Sequence, residues 1–426
     1  MRRRFAGCSC TWILAMALLF FIGSDLAPER AAEAAVAGKI RVGVIYSLTG
    51  TGAPTGKTQL DGALLAIKEV NKQGGLVVGG KRVQVEAVVR DDETKADVGI
   101  RRYRELLADG INVIVSGTFA DISTALNQQA KAGDSFVMVT NGIEEKVFRK
   151  DEKAPYFLSS LGAVDAIGRI CADYVAKTYK PKRVILCLPD YAYGHGAFTG
   201  AMQVFGSRYP DIKVSVVWTP VGTPDFTPYI IKIMEAKPDV VMMGQWGTDA
   251  IEIVKQAYEL GLAKHTRVFF NSLNASLTLG MPPEALDGVT IGVWLYHDLS
   301  AFKDKDPATV KAVEELNAAW RAEYGAAPDV MAVYAYIGMK ETLRAISLAG
   351  STDPAKMYKA LMDNPQFMSV KGPAYWRVDG RPFYTYAKFI ATGKGAAERD
   401  DKWDWCHVFD AYKGEELALP LKDMGY

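Results

Sequence analysis

The sequence predicts an α/β protein built from two similar units, each a parallel sheet flanked by helices. Three observations predict it. The chain has 426 residues, more than one hydrophobic core ordinarily serves, so two domains are expected. From residue 39 onward, continuous apolar runs rich in Val and Ile alternate with amphipathic stretches, the pattern of a parallel sheet covered on both faces. The alternation then restarts, so that residues 39–157 and 158–290 read as two units of like architecture without a convincing sequence repeat.

In the first unit, "KIRVGVIY" (39–46) is a buried strand. The helix after it carries Leu60, Ala63, Leu64, Ile67 and Val70 at helical spacing. "GGLVVGGKRVQVEAVVRDD" reads as a turn followed by a second strand. "ADVGIRRYRELLAD" is a helix, "INVIVSG" a strand, "ISTALNQQAKAG" a helix and "SFVMVT" a strand. The second unit repeats the order. "AIGRICADYVAKTY", "GAFTGAMQVFGSRY", "FTPYIIKIMEA" and "DAIEIVKQAYELG" are helices, interleaved with the strands "RVILCLPD", "KVSVVWTP", "DVVMMG" and "RVFFNS". Residues 307–349 supply two long helices, and a more β-like, aromatic-rich tail that includes "AYWRVDGRPFYTYAKFIA" ends the chain.

The N-terminus has the organisation of a secretory signal. Arg2, Arg3 and Arg4 form a basic start, residues 11–23 an apolar run, and Ala35-Val36-Ala37 an A-x-A cleavage site. The apolar run is short of the ~20 residues that span a bilayer. Residues 1–37 are therefore expected to be removed, placing the mature chain in the periplasm. Arg2-Arg3-x-Phe5 leaves the general and twin-arginine export routes both open. Cys8 and Cys10 would leave with the signal. Cys171 and Cys187, in a helical and a strand pattern, read as buried apolar residues rather than a bridge.

A net charge of +1 argues against a nucleic-acid partner, which needs a basic face, and suits a monomer. The Gly-Lys-Thr at 56–58 follows a strand but does not make a phosphate loop. The first Gly of that motif should stand at position 51, which is Thr51. Gly50 and Gly52 begin a G-x-G-x-x-G pattern that fails at Thr55. Lys57 reads as a solvated residue at a helix start. No zinc-ligand spacing, H-E-x-x-H or G-x-S-x-G motif is present, so neither a metal, a cofactor nor a catalytic residue is expected. Asp91-Asp92 reads as a polar strand end that caps the next helix.

Taken in order, several blocks resemble the periplasmic substrate-binding proteins of ABC importers, of the leucine/isoleucine/valine-binding type. They are "IRVGVIYSLTGTGAPTGKTQLDGALLAIKEVNKQGG", "VVRDDET", "INVIVSG", "LPDYAYGHG", "DFTPYIIKIMEAKPDVV" and "YAYIGMKETLRA". The resemblance covers residues 39 to about 380. It implies a type I periplasmic binding fold, two lobes joined by three crossovers, with lobe one at 38–157 plus 291–371 and lobe two at 158–290 plus 372–426. It also implies a small-molecule ligand in the cleft, hinge closure, docking on an ABC permease at the inner membrane, and no enzymatic activity. The opening loop then lines the cleft at the first strand end.

The resemblance also implies ligand-binding positions, and this sequence departs from several. A Ser that holds the α-carboxylate in amino-acid binders aligns with Asp121, with Ser123 two residues on. Asp121 would either repel a carboxylate, by on the order of 1 kcal/mol, or serve as N-cap of a helix from Ile122. A Thr position falls near Glu144, with Thr140 and Asn141 nearby. The acid that receives the α-ammonium would fall near Leu273 and is missing. Strand ends elsewhere carry Tyr46, Thr49, Phe119, Ala120, Tyr191, Tyr193, Gln245, Trp246, Asn271 and Trp294, which complete the set of candidate contacts. Their composition favours an aromatic or apolar small molecule over an ordinary α-amino acid. A true branched-chain amino acid binder, a sensory module for a membrane receptor and an exported enzyme are the alternatives.

Overall fold

The computed structural model describes residues 38–426; the signal-peptide reading of 1–37 lies outside them. The first sheet is built from β1 (Ile40–Tyr46), β4 (Val85–Asp91), β5 (Val113–Ser116), β6 (Phe136–Val139) and β8 (Phe157–Ser159). Its order is β4-β1-β5-β6-β8, all parallel. Between these run α1 (Ala53–Lys72), α2 (Ala96–Ala108) and α3 (Ala120–Gln129), with a hairpin of β2 (Leu76–Val78) and β3 (Lys81–Val83) before β4. The stretch read as a turn and then a second strand is thus a hairpin turning at Gly79–Gly80 and then a sheet strand.

The second sheet has the same internal order. It contains β10 (Arg183–Pro189), β11 (Lys213–Thr219), β12 (Val240–Met243), β13 (Arg267–Phe270) and β14 (Thr290–Val293), arranged β11-β10-β12-β13-β14. Its helices are α4 (Val164–Tyr179), α5 (Ala192–Arg208), α6 (Thr227–Ala236), α7 (Thr248–Glu259) and the single turn α8 (Ala275–Thr278). Two antiparallel strands, β18 (Lys388–Gly393) and β19 (Cys406–Tyr412), extend it beyond β14. The short β7 (Gly142–Ile143) and β9 (Gly162–Ala163) pair where the chain passes between the two sheets. The expected pair of like α/β units is therefore present, down to a shared strand order.

The chain returns after β14 through α9 (Pro307–Tyr324) to α10 (Val330–Ala349), which packs along α1. Thr290–Val293 pairs with both β13 and β18 and so belongs to the second sheet. The tail is not wholly β-like. It opens with α11 (Pro354–Asp363), capped by Asp353, whose carboxylate accepts from Lys356 N at 2.8 Å. A three-stranded sheet of β15 (Gln366–Ser369), β16 (Gly372–Trp376) and β17 (Pro382–Tyr384) then precedes β18.

The Gly-Lys-Thr puzzle resolves as packing. Helix α1 begins at Ala53, earlier than its apolar spacing indicated, so Gly56 lies in its first turn. A Cβ on Gly56 would sit 1.9 Å from the Ser47 carbonyl oxygen, so only glycine lets this turn close on the end of β1. Lys57 is exposed, as expected. Cys171, Cys187 and Cys406 are buried and unbridged. No described helix is long and apolar enough to cross a membrane.

Candidate functional site

A strand order that reverses beside its first strand leaves a crevice outside the strands' C-terminal ends. Here the two crevices face each other. The loops after β1 and β5 meet those after β10 and β12 around a cavity of about 120 Å³. Thr51, Gly52, Thr55, Thr118, Phe119, Ala120, Asn141 and Gly142 line it from the first sheet's side. Tyr191, Tyr193, Trp246 and Gly247 line it from the second, with Leu161, Val164, Ile167, Trp294 and Met331 from the crossings and the helices beside them. None of these side chains is a carboxylate, ammonium or guanidinium.

Seven of the fourteen expected contacts line this cavity: Phe119, Ala120, Asn141, Tyr191, Tyr193, Trp246 and Trp294. The aromatic wall is continuous on the second side, with ring centroids 5.9 Å apart for Tyr191 and Tyr193 and 6.5 Å for Tyr193 and Trp246. The other seven lie elsewhere, each for a physical reason. Tyr46 is fully buried and its hydroxyl pairs with Thr140 Oγ1 at 3.1 Å; Gln59 Nε2 donates to the same Thr140 oxygen, so both residues brace the wall from behind. Thr49 is exposed and donates to Asp91 Oδ2 at 2.6 Å. Ser123 is buried and donates to Asn141 Oδ1 at 2.8 Å, which orients that amide toward the cavity. Gln245 turns into the second sheet and donates to the Cys187 carbonyl oxygen and Thr219 Oγ1. Asn271 is buried beneath the wall.

Asp121 is not the N-cap expected of it. Helix α3 starts at Ala120 with Phe119 as N-cap, so Asp121 is an exposed first-turn residue, not the cap, and is not part of the cavity wall. Glu144 pairs with Lys146 at 2.9 Å and Leu273 is buried, so neither position offers a ligand group. Asp91 and Asp92 do not cap α2, whose N-cap is Lys95. They tie down the opening loop instead: Asp91 accepts from Leu48 N and Thr49, and Asp92 from Ser47 Oγ at 2.6 Å.

The electrostatics come from backbone. The N-caps of α1, α3, α5 and α7 are Gly52, Phe119, Tyr191 and Gly247, and all four line the cavity. None has a side-chain cap, whereas Asp306, Asp329 and Asp353 cap α9, α10 and α11. Uncapped first-turn N–H groups carry partial positive charge and bind anions. Burial raises the Tyr191 phenol, with the carboxylates of Asp249 and Asp121 adding to it, so it stays a protonated donor. The opening loop was expected at the cleft, though not Thr51 and Thr55 by number; sequence reasoning missed Thr118, Leu161, Val164, Ile167 and Met331. The last four belong to elements that only the crossings bring to the cleft, and their apolar character carried no signal of it.

Comparison with known proteins bears on the family and the fold. The family model described as "Periplasmic binding protein" matches residues 39–395. A Leu/Ile/Val-binding protein homolog of Brucella abortus is 24% identical over 368 residues, 85% of this chain and 92% of that one. Among solved structures, an amino acid ABC transporter substrate-binding protein from Pseudomonas fluorescens superposes with a TM-score of 0.79 at 22% identity, covering 91% of this chain and 98% of that one. An ABC transporter solute-binding protein from Rhodopseudomonas palustris, in complex with 3,4-dihydroxy benzoic acid, superposes with a TM-score of 0.72 at 24% identity. It covers 88% of this chain and 98% of that one.

Proposed function

The chain belongs to the periplasmic binding protein family, and from that premise we propose that it captures a small aromatic acid for an ABC importer. Its relatives and fold are those of substrate-binding transport proteins rather than enzymes. The observation that carries the ligand class is the cavity wall, rich in aromatic rings and without a charged side chain. An α-ammonium enclosed there would lose its hydration with no carboxylate to replace it, a large penalty. A carboxylate would meet the uncapped N-termini of α3 and α5. The volume suits one ring, since an engineered apolar cavity of about 150 Å³ holds benzene. The dihydroxybenzoate in the R. palustris relative supports the same class.

In this reading lobe one comprises 38–157 plus 294–371, and lobe two 158–293 plus 372–426. The lobes close on the ligand in the periplasm and the closed monomer docks on an inner-membrane permease.

Thermal shift of the purified protein tests the ligand class. Benzoate and ring-substituted benzoates are compared with leucine, isoleucine and valine. A ligand at 100 times its dissociation constant adds about 2.7 kcal/mol of stability. A response to benzoates and not to the amino acids is expected. A response to leucine, isoleucine or valine alone would overturn the ligand class and leave the family assignment standing. Trp246→Ala should weaken binding about 30-fold or more, as for a buried aromatic anchor. Unchanged affinity would remove Trp246 from the ligand contacts.

A further inference from the structure

Behind the aromatic wall lies a set of buried polar groups that nothing in the protein satisfies. The Tyr193 hydroxyl, Asn271 Oδ1 and Lys388 Nζ are each buried and make no hydrogen bond. Unpaired buried polar atoms are rare and costly in folded proteins, so three in one neighbourhood call for an explanation.

Tyr193 lines the cavity, and Asn271 and Lys388 lie behind its wall. Trp294 also lines the cavity, and Lys388 Nζ stands 4.2 Å from the Trp294 ring centroid. On α4, Val164 and Ile167 line the cavity, and Cys171 follows on the same face one turn later. Cys171 Sγ donates to the Asn271 carbonyl oxygen at 3.5 Å. The Lys388 stem reaches this place across Gly292. A Cβ on Gly292 would lie 2.4 Å from Lys388 Cε and 2.6 Å from the Asn271 carbonyl oxygen. The absent side chain thus opens a channel for the lysine toward Asn271.

The orphaned set has a definite chemistry. Lys388 offers donors, Asn271 Oδ1 an acceptor, and the Tyr193 hydroxyl either. A second carboxylate on the ligand would satisfy the donors but face the Asn271 oxygen. A hydroxyl both accepts and donates, so it answers the whole set. Resting on the reading of the cavity as an aromatic-acid site, we propose that Tyr193, Asn271 and Lys388 form a second subsite for a ring hydroxyl. The preferred ligand is then a hydroxylated aromatic acid, its carboxylate at the helix N-termini and its hydroxyl beneath the wall.

Calorimetric titration of the purified protein with benzoate, 3- and 4-hydroxybenzoate and the matching methylbenzoates tests this, because methyl and hydroxyl are nearly equal in size. One hydroxybenzoate should bind at least about 10-fold tighter than its methyl counterpart, as expected where a site is built to hydrogen-bond a hydroxyl. In Lys388→Met that preference should collapse, and Tyr193→Phe should reduce it independently. Equal affinity of hydroxyl and methyl forms for the wild-type protein would overturn the subsite while leaving the aromatic-acid reading intact; the pit would then be a place for internal water. A preference that survives in both variants would overturn it too. Binding of none of these acids would overturn both readings.

Discussion

Two regions where the sheets' ends approach each other handle buried polarity in opposite ways. Near the crossings, charge is balanced. Glu145 accepts from Arg169 at 2.7 and 3.0 Å and also pairs with Arg381, which reaches Asp379 at 2.7 Å, all of them buried. Arg169 also donates to the Leu417 carbonyl oxygen at 2.6 Å. Burial by itself would raise the Glu145 carboxyl, but the two guanidiniums overcome it and hold that carboxyl below its usual range. Beneath the cleft, Lys371 has three hydrogen-bond partners and no carboxylate, and Lys388 has no hydrogen-bond partner, only the face of the Trp294 ring. One region is complete without a ligand. The other is built from groups whose needs the chain leaves open, and this is the physical mark that separates a structural joint from a binding site.

The largest expected effect comes from breaking the balanced region. Arg381→Met removes the guanidinium that Glu145 and Asp379 share and leaves each carboxylate with one cation, Arg169 and Arg377 respectively, so breaking these buried pairs costs up to about 3–5 kcal/mol. The urea midpoint should fall accordingly at a constant denaturant slope. A loss below about 1 kcal/mol would mean that the cluster opens to water, and the contrast with the cleft would fail.

Lys388 should behave in the reverse sense. Burial depresses its ammonium to about 8, with Cys171 opposing slightly, against an ordinary value of 10.5. The unfolded chain therefore binds more protons than the folded one between about pH 8 and 10.5. Stability rises with pH across that window and is lost as pH falls through it. Replacement by Met removes this linkage. Lys388→Met should be more stable than the wild type at pH 7, by on the order of 3 kcal/mol, with the gap closing above pH 10.5. Unfolding at a series of pH values for both proteins reads the difference, and a pH-independent gap would show that Lys388 finds a partner.

The contrast also explains what was legible in the sequence. Both sheets were readable because buried parallel strands such as Val240–Met243 are unbroken apolar runs. The aromatic half of the cavity wall was readable because Phe119, Tyr191 and Trp246 stand just past such runs. Helix α11 carried its own signals, Asp353-Pro354 at its start and Met357 and Leu361 at helical spacing, but the aromatic-rich strands beyond it masked them. The charged groups were opaque for a stronger reason. Lys371, Arg381 and Lys388 look alike along the chain, and only the folded neighbourhood decides which is paired. Gln245 and Asn271 stand at strand ends as expected, yet Gln245 turns into the second sheet and Asn271 lies buried beneath the cavity wall, which strand position does not encode.

Asp121 gives the smallest effect and tests how far the cleft's field extends. It sits exposed in the first turn of α3, where a carboxylate favours the helix by about 0.3–1 kcal/mol. Asp121→Asn should cost the protein no more than that. The same charge lies close enough to the cavity to raise the Tyr191 phenol, after burial and Asp249. Its removal should therefore relieve a repulsion felt by a bound carboxylate, tightening benzoate binding by about twofold to threefold at low salt. The gain should fade as salt rises above ~0.1 M, since an exposed charge is screened within about 10 Å. A tenfold change that persists in salt would mean that Asp121 touches the ligand and that the cavity wall extends beyond Ala120. A change of the opposite sign would mean that the ligand carries a cation, which would place an ammonium in a cleft that otherwise offers it no partner.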